Sequence, residues 1–258
     1  LYWAYVRSVL SDPYDSMVKW TKEEDGTLSF DYTEFDNYVT FCMELGIDDQ
    51  INCYSMVPWG NRIFYFDETQ GKEVVIRPTP GSATFTEYWE AFLQDFVAHL
   101  TEKEWLEKTF IAMDERSLND MNAVITLIKR TSDKLRISGA MNYGALGDLI
   151  DSVDDMSVNM PQLGSNFEEV AEVRRQKGQN STLYVCTGNY PNNFTRSKPA
   201  ENTWLGWYIA KRKADGNLRW AYDSWVEDPL ECTDHRTWES GDCFLVYPEA
   251  RSSVRFER

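Results

Sequence analysis

The chain has 258 residues, enough for one large α/β domain, and 42% hydrophobic content without low-complexity tracts marks it as globular. A net charge of −16, from 42 acidic against 26 basic residues, argues against nucleic acid or anionic lipid as a partner, because both call for a basic footprint. No apolar run approaches the roughly 18–20 residues that insert across a membrane. No basic, apolar leader opens the chain, so a signal peptide is read as absent or removed.

The opening LYWAYVRSVL reads as the remnant of a strand. Residues 33–45 place Phe35, Tyr38, Val39, Cys42 and Leu45 at helical spacing, and Gly46 supplies a stop. A strand is expected at 50–56, closed by Pro58 and Trp59. Residues 62–67 and 73–78, joined by ETQGK, read as an inserted β-hairpin near 62–78. A long helix over 84–103 carries Tyr88, Phe92, Phe96 and Leu100 on one face.

Next come a strand at 109–113, a helix with Met121, Val124, Ile125 and Ile128, and a strand at 135–140. A weaker strand signal at 153–158 precedes a charged helix at 166–177 and a clearer strand at 182–186. A helix starting at Pro199 leads to a last barrel-type strand at 217–222, and 243–247 and 252–256 read as terminal strands. This alternation is that of βα units. A closed barrel of this kind needs eight strands. The expected fold is therefore α/β: a (β/α)8 TIM-type barrel lacking its first strands over residues 1–235, with a C-terminal β extension at 236–258 packed on it.

The segment TFIAMDE ends an apolar strand in two adjacent acids, Asp114 and Glu115. Two readings stand. The C-terminal ends of barrel strands carry catalytic groups, and acids equally favour the start of a following helix. Adjacent acids cannot easily flank a glycosidic bond from opposite sides, as the usual two-carboxylate mechanism requires. They can cooperate when a 2-acetamido sugar supplies its own carbonyl oxygen as nucleophile: one acid orients the acetamide, and its neighbour protonates the leaving oxygen and then activates water.

Aromatic residues make up 14% of the chain, with 10 Trp and 14 Tyr. Most are expected in the core, but flat rings with a polar edge also suit sugars. Tyr54, Trp59, Tyr143, Tyr184, Trp220 and Trp225 lie at or near strand ends, where core packing and sugar contact are both open. His99 falls on the apolar-periodic helix and reads as a structural histidine. With only His99 and His235, and five cysteines without a CxxC, neither a metal site nor another cofactor is called for. Cys232 and Cys243 are close enough in sequence to pair, although spacing alone does not show it. Asn180 and Asn193 head N-glycosylation patterns.

The stretches FDYTEFDNYVTFCMELGIDDQINCYSMVPW, DFVAHL, FIAMDER, YPNNFTRSKPAE, RWAYDSWVEDPL and GDCFLVYPEARSSVRFER closely resemble glycoside hydrolase family 123, from about Met17 to the C-terminus. The resemblance implies a β-N-acetylgalactosaminidase whose barrel follows a β-sandwich, with Asp114 orienting the acetamide and Glu115 as general acid/base. It implies a glycan or glycolipid partner carrying terminal N-acetylgalactosamine, and a periplasmic or extracellular location. Two positions depart from the pattern. Asp223 stands where relatives have Asn, so an amide becomes an acceptor-only carboxylate. Asn142-Tyr143 is followed by Gly144 where relatives tend to carry His. Both bear on substrate contacts. A broader β-N-acetylhexosaminidase and a non-catalytic carbohydrate-binding protein are the alternatives.

Overall fold

The computed structural model describes residues 16–144, 147, 149–226, 228–232 and 240–248. The strand expected in the opening residues, the strand at 252–256 and much of the 236–258 extension lie outside these residues. The described chain divides into two compact units, one of residues 16–139 with Ser152–Asp154, the other of the remainder.

The first unit runs through β1 (Lys19–Lys22), β2 (Leu28–Asp31), α1 (Thr33–Glu44), β3 (Ile51–Tyr54), β4 (Ile63–Asp67), β5 (Lys72–Ile76), α2 (Ala83–Glu102), β6 (Thr109–Asp114) and α3 (Leu118–Thr131). Its chain ends inside β7 (Arg136–Met141). β4 and β5 form an antiparallel hairpin from Ile63↔Ile76 to Asp67↔Lys72. That hairpin joins β1 and β2 in a four-stranded sheet of order β2-β1-β4-β5. Strands as short as KWTK and LSFD offer too few alternations to stand out in sequence, which is why β1 and β2 were absent from the expected elements.

Helix α2 is the centre of this unit. Ser82 caps it by accepting from the Phe85 N–H at 3.2 Å, and Phe85, Trp89, Phe92, Phe96 and Leu100 follow at helical spacing, all essentially inaccessible. Trp20 from β1 stacks on Phe92 at 4.8 Å and meets Trp89 edge-on at 5.2 Å, while Phe96 stacks on Phe92 at 5.2 Å. Such pairs add to simple area burial. Much of the aromatic content is thus core.

Helix α1 is tied to α2 by polar contacts. The Tyr32 hydroxyl donates to Asp95 at 2.7 Å, its ring lies on His99 at 4.0 Å, and His99 Nε2 meets Asp36 at 2.7 Å. His99 therefore has the structural role expected of it. Of the five periodic positions on α1, only Phe35 and Val39 are buried, whereas Tyr38 and Leu45 are exposed. A helix that packs along one line buries a narrower stripe than its sequence offers.

The second unit holds α4 (Leu149–Ser152, its last residue counted with the first unit), β8 (Asp155–Asn159), α5 (Phe167–Gln176), β9 (Asn180–Tyr184) and α6 (Pro199–Lys211). β8 and β9 pair in parallel from Asp155↔Asn180 to Asn159↔Tyr184. Arg174 of α5 is fully buried; its guanidinium donates to Ser181 Oγ at 2.9 Å, to the Asn180 carbonyl at 2.8 Å and to the Ile150 carbonyl. Glu201, also buried, accepts from the backbone N–H groups of Lys198 and Asn192 at 3.0 Å each, which caps α6 and ties down the loop before it.

In the first unit β3 and β6 pair in parallel from Ile51↔Thr109 to Tyr54↔Ala112, as β8 and β9 do in the second. The described residues show no closed eight-stranded barrel. Beyond β9 the ladder continues only as the single parallel bridge Leu183↔Asn217. The strands expected at 217–222 and 243–247 are likewise single bridges, the second being Asp223↔Phe244. Arg219 takes the Gly241 carbonyl at 2.9 Å and the Asp242 carbonyl, so acceptors that a ladder would use are satisfied by a side chain instead. All five cysteines are free, Cys232 exposed and Cys243 buried, so the pairing left open by their spacing is not formed.

Candidate active site

β6 buries Thr109 through Met113 completely and delivers Asp114 as its last, partly accessible residue. β3 lies parallel beside it with Tyr54 opposite Ala112, so Tyr54 ends its strand two positions short of Asp114. The chain then turns: Glu115 has φ of 49°, in the left-handed region that a residue with a Cβ adopts at a cost of about 1–3 kcal/mol. The Arg116 Nε donates to the Asp114 carbonyl at 2.7 Å across this turn.

Helix α3 begins at Leu118 with Ser117 as its cap, accepting from the Asp120 N–H at 3.2 Å. Asp120 is the acid of the first helical turn. Asp114 and Glu115 lie upstream of the cap, and the left-handed turn separates them from the helix. Their presence is not explained by the needs of α3.

Trp59 reaches this place from the loop after β3. Gly60 and Asn61, with φ of 85° and 51°, form a tight turn closed by the Asn61 N–H on the Pro58 carbonyl at 2.8 Å. The indole Nε1 donates to Asp114 Oδ2 at 3.1 Å. The Arg116 guanidinium lies over the same indole, 3.8 Å from the ring centroid. Asp114 feels opposed influences. Burial pushes its carboxyl above the ordinary range; the Trp59 hydrogen bond lowers it; Glu115 raises it; Arg116 lowers it. Burial prevails.

The other nominated residues belong to the second unit. Asn142 is exposed just past β7; Tyr143 follows it half-buried, with a buried hydroxyl that has no hydrogen-bond partner among the described residues. Tyr184 ends β9 and is 8% exposed, so packing dominates there. Trp220 is 41% exposed. Asp223 is exposed, with its backbone in the bridge to Phe244. Trp225 donates its indole N–H to the Val246 carbonyl at 2.9 Å, so its polar edge is occupied by the chain itself.

Two residues of interest went unnominated. Arg116 sits inside the quoted FIAMDER stretch, but a charged residue after a strand end reads as a solvated turn. Asn159 ends β8, as Asp114 ends β6, and its amide donates to Cys186 Sγ at 3.1 Å while its Oδ1 is buried without a partner among the described residues. The strand-end rule that singled out Asp114 would have reached it had the weak 153–158 signal been placed one residue later. Two surface hollows of the first unit, one along α1 and one beside Tyr88, include none of the nominated residues. Among the described residues no group of three His, Cys, Asp or Glu is arranged to hold a metal ion.

The family model for glycoside hydrolase 123, catalytic domain, matches residues 2–258. The chain is similar in structure to a family 123 glycoside hydrolase from Clostridium perfringens, solved in a study of glycolipid glycan hydrolysis, with TM-score 0.92 and 39% identity. The match covers 99% of this chain and 48% of that one, so this chain spans about half the length of its neighbour. No curated protein matches.

Proposed function

Because this chain belongs to glycoside hydrolase family 123, we propose that it removes terminal β-linked N-acetylgalactosamine from glycans or glycolipids by a retaining, substrate-assisted route. The observation that carries this reading is the placement of Asp114, aimed by the Trp59 indole and followed directly by Glu115 at the end of β6. Adjacent carboxylates suit a reaction whose nucleophile is on the sugar. The acetamide carbonyl oxygen attacks the anomeric carbon while Glu115 gives a proton to the leaving oxygen, forming an oxazolinium-type intermediate. Asp114 accepts a hydrogen bond from the acetamide N–H and stabilises the positive charge growing there. Glu115, now a base, takes a proton from water as that water opens the ring, and the β configuration is restored.

Glycolipid glycans enter as a substrate class through the Clostridium perfringens neighbour. The same reading takes these parallel strands as parts of a (β/α)8 barrel, supported by the strand–helix alternation from β6 to β9, and takes 236–258 as a β extension on it. Exposed Asn142 and Trp220 with half-buried Tyr143 are its candidates for sugar contact, joined by Tyr54, Trp59, Tyr184, Asp223 and Trp225. A periplasmic or extracellular site of action accompanies it, on family resemblance alone.

Hydrolysis of an aryl β-N-acetylgalactosaminide, its gluco epimer and the plain β-galactoside tests the proposal. Turnover of the first alone is expected. Comparable turnover of the gluco epimer converts the reading to a broader hexosaminidase; binding without turnover converts it to a sugar-binding protein. Comparable hydrolysis of the plain galactoside, which has no acetamide, overturns the mechanism.

A further inference from the structure

Trp59 is a loop residue, 47% exposed, yet its N–H is the group that takes one oxygen of Asp114. An exposed indole samples several orientations unless something holds its ring. Arg116 lies over that ring, with its guanidinium carbon 3.8 Å from the centroid. Arg116 is itself held by its Nε on the Asp114 carbonyl at 2.7 Å. The contacts close a circle: Asp114 backbone, Arg116, Trp59, Asp114 side chain.

Arg116 gains little for itself from this arrangement. Its Nη2 is buried and has no hydrogen-bond partner among the described residues, and burial works against its charge, offset in turn by Asp114, Asp120 and Glu115. A buried guanidinium with an unused donor is an expensive way to build a turn. A glutamine would satisfy the same carbonyl without desolvating a charge. What the guanidinium adds is a flat cation that stacks on an indole and stays charged at every relevant pH.

We propose that Arg116 is a positioning residue for Asp114: by stacking on Trp59 it holds the indole N–H on Oδ2, leaving Oδ1 for the substrate amide. The role rests on the acetamide-orienting function proposed above for Asp114. Oδ1 makes no hydrogen bond among the described residues. The charged groups acting on the Asp114 carboxyl are Glu115, which opposes ionisation, and Arg116, which favours it. Removing Arg116 leaves burial and Glu115 unopposed except by an indole that is no longer braced.

The test compares the native chain with R116Q, R116K and W59F. The Asp114 carboxyl is titrated by carbon NMR, assigned by its absence in D114N, and kcat and KM are followed against pH on the aryl β-N-acetylgalactosaminide. In R116Q the Asp114 midpoint should rise, since the braced indole N–H and the arginine charge both favour the carboxylate. The acid limb of kcat/KM should move with it, and kcat should fall roughly 10–100-fold, the order of loss for a displaced catalytic group, with KM little changed. R116K, which keeps charge without the stacking plane, should fall between native and R116Q. W59F keeps a ring for the arginine but lacks the N–H, so it should move the midpoint upward too, which keeps the test open if R116Q does not fold. The double variant W59F/R116Q should be no worse than the worse single, as two parts of one clamp require.

An unmoved Asp114 midpoint in R116Q and W59F, or strictly additive losses in the double variant, overturns the proposal. A native chain that leaves the aryl glycoside intact overturns the proposed reaction instead. The NMR titration still decides the clamp in that case.

Discussion

The indole N–H of Trp59 meets Asp114 Oδ2 at 3.1 Å across fifty-five residues of sequence. One partner ends a buried strand and is placed by the sheet; the other stands in a tight loop whose Gly60 and Asn61 take left-handed backbone conformations. The bond ties the loop after β3 to the end of β6, and parallel pairing of those strands brings their C-terminal ends to the same side. Much of what Asp114 can do follows from that geometry.

Asp114 should lower the stability of the fold near neutral pH. Its folded carboxyl ionises above the ordinary range because burial disfavours the charge, so on raising the pH the unfolded chain loses this proton first. Between the ordinary value of about 3.9 and the raised folded value, the folded state binds more protons, and stability declines as pH rises. D114N carries no such loss, and its amide oxygen can still accept from Trp59. Urea denaturation should find D114N more stable than the native chain at pH 7, with the difference shrinking toward pH 4. Equal stability at pH 7 counts against the burial-driven shift.

In the proposed reaction Glu115 makes the proton transfer. E115Q should lower turnover of a natural glycan by about 10²–10⁴-fold, the usual contribution of general acid–base catalysis. A nitrophenyl leaving group needs little protonation, so its loss should be smaller in the first step. Equal, slight losses on both substrates remove Glu115 from that role. The comparison is read from kcat/KM, which reports the leaving-group step.

The acetamide should be as sensitive as any side chain. Successive fluorination of its methyl group weakens the carbonyl oxygen as a nucleophile, and the logarithm of kcat/KM should fall steeply with each fluorine. A flat series separates acetamide recognition from acetamide participation. D114N should lose more on the parent N-acetyl substrate than on the trifluoro analogue, because less positive charge then develops on nitrogen.

Stability depends on two buried residues of different character. Phe92 stacks between Trp20 and Phe96 and is inaccessible, so F92A should cost about 3–5 kcal/mol in denaturant unfolding. Arg174 is as deeply buried, but its guanidinium serves the carbonyls of Ile150 and Asn180 and the Ser181 hydroxyl. R174M fills a similar volume yet leaves those acceptors unserved, at about 1–3 kcal/mol for each group left unpaired. Amide exchange should accelerate first at the start of β9 in R174M.

Sequence by itself was enough for the longer local elements. The Phe85–Leu100 periodicity shows α2, the apolar run before Asp114 shows β6, and the quoted motifs carry the family, because each depends on residues close together along the chain. The adjacency of Asp114 and Glu115, and hence the chemistry open to them, is a covalent fact. Tertiary structure decided the rest. Only the fold shows that Ser117 caps α3 with the two acids upstream of the cap, that Trp59 rather than a more distant ring meets Asp114, and that the indole of Trp225 is taken by the Val246 carbonyl. Only the fold shows that the expected strand at 217–222 is a single bridge. The reason is the same in each case. A hydrogen-bond donor in a sequence has many acceptors within reach of an unfolded chain, and burial and strand pairing select the one it keeps.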